Sequence, residues 1–214
     1  MSKESCVVLF SSGLDSTVNL YKAKTELDVK MAITMNYGQK AFEKELEQSQ
    51  KICKELNILH KRVDVPWLSE IATSSLVSKD KIPTDLVDIN SVEASVASAK
   101  AVWVSNRNGL FINIAASFAE ELKAKYVIVG FNLEEAETFP DNSVDFMNAT
   151  NKALSYSTQN HVEVKCYTSY LNKKEIVQMG KLLNINYENI WPCYFTGQKI
   201  CGKCESCQRY LAAL

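Results

Sequence analysis

Residues 7–20, VVLFSSGLDSTVNL, carry the reading that decides the fold. Four apolar residues, Val7 to Phe10, run into a cluster of small polar ones, and a helical pattern begins near Ser16. A strand that turns tightly into a helix is the opening unit of an α/β sheet. Backbone N–H groups of such a turn, added to the unpaired amides and positive end of the helix, form a site for phosphate oxygens. Ser11, Ser12 and Ser16 supply further hydroxyl donors, and Asp15 suits a helix cap or a share in a magnesium ion. The alternative is an ordinary capped turn. The pattern GxxxxGK[ST] is absent, so the turn is not a Walker loop.

Outward from this unit, short β-branched runs recur at Cys6 to Phe10, Val29 to Met35, Arg62 to Val65, Tyr126 to Val129 and Val162 to Tyr167. Helical patterns lie between and after them, at Ser16 to Lys24, Ala41 to Leu56, Leu110 to Leu122, Val144 to Leu154 and Lys173 to Leu183. The alternation predicts a doubly wound, Rossmann-like parallel sheet of five strands with helices on both faces. Ligands of such sheets sit beyond the carboxyl ends of the strands. Gly13, Gly38 and Gly130 each follow a strand, and Gly109 opens a helix, where a site is expected. Residues 66–100 show no clean period and are expected to be a mobile insertion near the site. The chain is expected to divide into a main domain, 1–185, and a small C-terminal segment, 186–214.

Twenty-four basic and 25 acidic residues leave a net charge of −1. That balance gives no field to gather nucleic acid or an anionic membrane, so a small-molecule substrate is expected. The run Cys6 to Phe10 is too short for the apolar region of a signal peptide, and nothing approaches the ~18 apolar residues of a membrane span. A cytoplasmic protein is expected, and in a reducing compartment clustered cysteines point to metal or catalysis rather than disulfides.

Four of the seven cysteines cluster in CYFTGQKICGKCESC, residues 193–207. Two consecutive CxxC steps bring Cys201, Cys204 and Cys207 to one point, Gly202 relieves the turn, and Cys193 returns as the fourth corner of a tetrahedral site. Structural zinc is the expected occupant, since four protein ligands leave no open position for a reacting water; an iron–sulfur cluster is the alternative. Cys6, Cys53 and Cys166 lie in strand or helix patterns and read as core.

The turn SSGLDS resembles the SGGxDS pyrophosphate loop of the N-type ATP pyrophosphatases, with Ser12 in place of the first glycine. The resemblance implies ATP cleavage to AMP and pyrophosphate, with ATP held along Leu9, Phe10, Ser11, Ser12, Gly13, Leu14, Asp15, Ser16, Thr17, Val18 and Asn19. Ser12 matters if position 12 needs a positive φ, or if the backbone must come so close to phosphate that a Cβ clashes; a left-handed serine costs roughly 1–2 kcal/mol, which is expected to weaken ATP binding about tenfold to thirtyfold while leaving the loop competent.

Both ends of the chain, with NYGQ (36–39), NRN (106–108), GFNLEEAETFPDNSVDF (130–146), NKKEIV (172–177) and WPCY (191–194), are similar to the 7-cyano-7-deazaguanine synthase (QueC) family. The resemblance covers nearly all of the chain except 66–100. It implies a ligase of queuosine biosynthesis that turns 7-carboxy-7-deazaguanine and ammonia into the nitrile, through an adenylated carboxylate and then an amide. It further implies a homodimer, a structural zinc on the four cysteines, and ATP with Mg²⁺ as cosubstrate. Within it, Lys173 neutralises phosphate charge and Arg107 steadies the adenylate or the substrate carboxylate. Asn108 and Asn132 bond the purine-like edge, Phe139 stacks on the ring, and Asp141 pairs with the base or takes an ammonia proton. The chain departs from the family's form in TFPDNS and in Ser105 before Asn106. Having only His60 and His161, neither in a motif, it suits adenylyl transfer, which needs positioning and charge neutralisation more than a histidine base. Two other readings stay open: a relative that adenylates a different acceptor, and a zinc- and nucleotide-binding module without catalysis.

Overall fold

The computed structural model describes residues 3–84 and 92–214. Five parallel strands, β1 (Ser5–Leu9), β2 (Asp28–Asn36), β3 (His60–Asp64), β4 (Tyr126–Ile128) and β5 (Glu163–Lys165), form one sheet in the order β3-β2-β1-β4-β5. The chain winds outward from β1 to β3, then crosses back to place β4 on the other side of β1. The connections reverse between β1 and β4, and a crevice opens at the carboxyl ends of those two strands.

Alternation along each strand separates two cores. Val7, Ile33, Met35 and Val127 face α5 (Arg107–Glu121), which presents Ile112, Ala115, Ala116 and Ala119, and α7 (Val144–Ser157), which adds Met147 and Leu154. Cys6, Val8, Ala32 and Ile128 face the opposite way, onto Leu20 and Ala23 of α1 (Leu14–Glu26) and Ile52 and Cys53 of α2 (Phe42–Glu55). Because both faces are covered, the central strands read as nearly unbroken apolar runs. A third cluster joins Leu14 and Val18 of α1 to Ile176 and Val177 of α8 (Lys173–Leu182) and Tyr210 of α9 (Glu205–Ala213).

The segment without a clean period holds two helices, α3 (Pro66–Ile71) and α4 (Val92–Val102). The expected mobility of 66–100 falls partly on 85–91, which lie outside the described residues. The described flanks are tied down: Leu68, Leu76 and Ile82 are buried in the main core, and Lys40 Nζ donates to the carbonyls of Ser75 and Asp80. A one-turn helix, α6 (Leu133–Ala136), completes the set. No helix among the described residues is long and apolar enough to cross a membrane.

Candidate active site

The loop between β1 and α1, expected from the sequence to hold phosphate, is assembled from its own hydroxyls. Gly13 is extended (φ −66°, ψ 163°) and caps α1, so its carbonyl receives the Thr17 N–H at 3.0 Å and the Ser16 hydroxyl at 3.1 Å. Ser12 is fully buried at φ 59°, in the left-handed region. Its hydroxyl donates to the Ser11 carbonyl at 2.5 Å and the Glu45 carbonyl at 3.3 Å, and its own carbonyl accepts the Trp191 N–H at 2.9 Å. A Cβ on Gly130, at the end of β4, would lie 2.6 Å from Ser16 N, so only glycine lets the start of α1 come this close to the sheet.

Helix α8 begins in a full capping box, Asn172 with Glu175, which fixes Lys173 at its first position. Lys173 Nζ reaches Asp15 Oδ2 at 2.5 Å and Glu135 Oε1 at 2.8 Å, and its backbone N–H donates to Glu134 Oε1 at 2.9 Å. Burial works against the ammonium, but Asp15 and Glu135 hold its pKa well above the ordinary lysine value. Burial also pushes the Asp15 carboxyl up, only partly offset by Lys173, whereas the Lys173 charge and hydrogen bond hold Glu135 below its usual range despite burial. Asp15 Oδ1 is buried with no hydrogen-bond partner among the described residues.

The cleft has two chambers. One of about 230 Å³ is lined by Gly13, Asp15, Lys173, Phe139 and, from the C-terminal segment, Trp191, Tyr194, Glu205 and Arg209. The other, about 240 Å³, is lined by Leu9, Phe10, Thr34, Met35, Tyr37, Asn108 and Phe111. Ser11, Ser16, Glu45, Arg107, Gly130, Glu135, Asn142 and Tyr194 line both and mark the junction. Arg107, at the start of α5, donates to Tyr37 Oη at 3.1 Å; burial opposes its charge, and Tyr37, Asp141 and Tyr194 hold it protonated. Phe139 stacks on Trp103 with ring centroids 6.0 Å apart.

Some residues picked from the sequence stand back from the cleft. Thr17, Val18 and Asn19 are buried inside α1 and line neither chamber. Asn19 is a strut, donating to Thr168 Oγ1 at 2.6 Å and accepting from the Tyr167 N–H at 2.7 Å. Asn132 caps α6 through the Glu135 N–H, and its Nδ2 is buried without a partner among the described residues. Asp141 is half-buried, its carboxyl pushed up by burial and only partly lowered by Arg107, while its neighbour Asn142 faces both chambers. Glu135, Glu45, Tyr37 and Tyr194 were not legible as site residues. Glu135 has a local signal in the N-x-x-E spacing from the Asn132 cap, and Tyr37 and Tyr194 lie in the NYGQ and WPCY segments, whereas Glu45 has none.

The sulfur atoms of Cys193, Cys201, Cys204 and Cys207 lie within 4.8 Å of one another. Backbone amides turn toward them: Phe195 and Cys201 N–H donate to Cys193 Sγ at 3.4 Å, and Cys204 N–H to Cys201 Sγ at 3.3 Å. Gly202 takes the turn at φ 68°. Four thiols converging with amide donors around them suit a metal ion that prefers sulfur.

A five-stranded parallel sheet with a serine-rich loop after β1 and a buried Lys–Asp–Glu cluster at its switch point defines a Rossmann-like α/β protein. The fold is that of a solved NMN synthetase from Francisella tularensis, with a TM-score of 0.50 and 16% identity over 94% of this chain and 71% of that one. The chain belongs to the QueC family: the family model described as queuosine biosynthesis protein QueC matches residues 5–214. It is 54% identical to a 7-cyano-7-deazaguanine synthase of Bdellovibrio bacteriovorus over 206 residues, 95% of this chain and 89% of the relative. To the same enzyme of Carboxydothermus hydrogenoformans it is 50% identical, over 96% of both chains.

Proposed function

We propose that the protein is an ATP-dependent carbon–nitrogen ligase that converts 7-carboxy-7-deazaguanine and ammonia to 7-cyano-7-deazaguanine in queuosine biosynthesis. The observation that carries this reading is the match to relatives of that name along almost the whole chain, in a protein whose cleft joins a phosphate loop to a purine-sized chamber. The loop hydroxyls of Ser11 and Ser16, with Lys173, hold the pyrophosphate end of ATP. The free Oδ1 of Asp15 suits a share in Mg²⁺, which supplies charge neutralisation when bound. Arg107 presents its fork to the substrate carboxylate at the junction. Asn108 bounds the chamber for the deazapurine and Phe139 the one that adjoins it, while the Asp141 carbonyl steadies Asn108 by accepting from its Nδ2 at 3.4 Å and Asn132 caps α6.

Zinc is the ion we assign to the four cysteines, as a closed structural site. The segment that carries them also puts Trp191, Tyr194 and Arg209 into the cleft wall, so it shapes the site without taking part in the chemistry. A cytoplasmic homodimer accords with the family, and light scattering at twice 24.0 kDa checks the stoichiometry.

The test is to incubate the metal-loaded protein with ATP, Mg²⁺, an ammonium salt and 7-carboxy-7-deazaguanine, following AMP and the base by mass spectrometry. Nitrile with AMP is expected. AMP without nitrile would move the protein to another acceptor, and neither product would make it a binding module.

A further inference from the structure

Five carboxylates line the chamber that holds the phosphate loop: Asp15, Glu45, Glu134, Glu135 and Glu205. Four of them are committed to cations, Asp15 and Glu135 to Lys173, and Glu134 and Glu205 to Arg209. Glu45 alone among the described lining carboxylates has no ion pair, and it stands at the junction of the two chambers.

Its position is fixed from both ends. Oε2 accepts from Gln39 Nε2 at 2.8 Å; Gln39 is itself locked, its Nε2 also donating to the Met35 carbonyl at 2.9 Å and its Oε1 accepting the Tyr37 N–H at 3.0 Å. The Glu45 carbonyl takes the Ser12 hydroxyl, tying the residue to the phosphate loop. No hydrogen bond reaches Oε1 from the described residues. Arg107 and Tyr37 are its charged and titratable neighbours at the junction, and Glu135 of the Lys173–Asp15–Glu135 cluster lines the same two chambers.

On the reading that the protein amidates an adenylated carboxylate, we propose that Glu45 is the base that deprotonates ammonium at the reacting centre. An ammonium ion is drawn to an unpaired carboxylate, and it cannot attack until it gives up a proton. Glu45 takes that proton, and the freed nitrogen lone pair forms the C–N bond to the acyl carbon. The C–O bond to AMP breaks and AMP leaves with its electron pair, while a second proton of the adduct nitrogen departs to the AMP phosphate. Burial supports the role by pushing the Glu45 carboxyl up to about 7, with Gln39 and Arg107 opposing the rise. A carboxylate poised near neutrality is a better proton acceptor than an ordinary one.

The experiment separates adenylation from amide formation in Glu45→Gln. Carboxylate-dependent ATP–pyrophosphate exchange should persist, while ammonium-dependent amide formation falls by about 100-fold or more. Hydroxylamine, already unprotonated at neutral pH, should capture the adenylate with a far smaller loss than ammonium suffers. The ammonium rate of the variant should climb with pH as free ammonia accumulates. Glu45→Asp, which keeps a carboxylate, should recover part of the ammonium rate.

Equal loss with ammonium and hydroxylamine would overturn the assignment, as would no loss with either, or equal ammonium rates in the Asp and Gln variants. Lost exchange with a raised KM for the carboxylate would make Glu45 a substrate contact. Absence of carboxylate-dependent exchange in the wild type would instead reject the ligase reading.

Discussion

At Ser12 the backbone is left-handed where the family pattern has glycine, and the cost of roughly 1–2 kcal/mol falls on folding. The conformation belongs to the folded chain, held by the Ser12 hydroxyl and by Trp191, so the strain does not pass into ATP affinity. Ser12→Gly relieves the strain and loses hydrogen bonds worth about 1 kcal/mol each, so its stability should stay within about 1 kcal/mol of the parent. Ser12→Ala keeps the strain and loses the bonds, and should be less stable by about 1–2 kcal/mol. Urea unfolding checks that order, and ATP titration should give the same affinity for the glycine variant and the parent. Glu45 makes a second test at this scale. Its folded pKa is raised from 4.5 to about 7, so the stability it contributes is full below pH 4.5 and is lost as pH rises through 7. Glu45→Gln should therefore gain stability relative to the parent between pH 5 and pH 8, and parallel unfolding midpoints across that range would contradict it.

Among elements, the long periodic ones were readable: all five strands and the helices α1, α2, α5, α7 and α8 lie where the apolar pattern placed them, to within a few residues. Those that went unread had physical reasons. Helix α6 is a single turn, too short to show a period; α3 has six residues behind a proline; α4, VEASVASAKAV, lacks the polar and apolar contrast that marks a face. Helix α9 starts among cysteines whose spacing spoke of metal instead. The site was half legible for a similar reason. The loop is contiguous, whereas Lys173 meets Asp15 and Glu135 only through the tertiary fold, and no local pattern announces that meeting. The contact of β4 with α1 carries a prediction of its own. Gly130→Ala forces a Cβ against Ser16 N, so α1 must shift; a loss of about 1–3 kcal/mol is expected, with weakened ATP binding by calorimetry. Unchanged affinity would mean that the loop does not depend on this close approach.

Over the whole molecule, the C-terminal segment is built into the fold. Cys193, Cys204 and Cys207 belong to the main core, and Trp191 closes on the phosphate loop. Structural zinc is worth ~10–16 kcal/mol of apparent binding energy in small zinc peptides, comparable to the stability of a domain. A strong chelator should therefore lower the Tm of the main unfolding transition and abolish ATP binding together, with one metal ion released per chain in a colorimetric assay. A main transition that stays in place while the tail alone melts would refute that coupling. The bond from Trp191 to Ser12 also has a meaning in time. The loop is translated early, but the residues that brace it, from Trp191 to Arg209, leave the ribosome long afterwards. A growing chain therefore lacks this wall of the cleft until Trp191 and the residues after it have been made and have folded back onto the loop after β1.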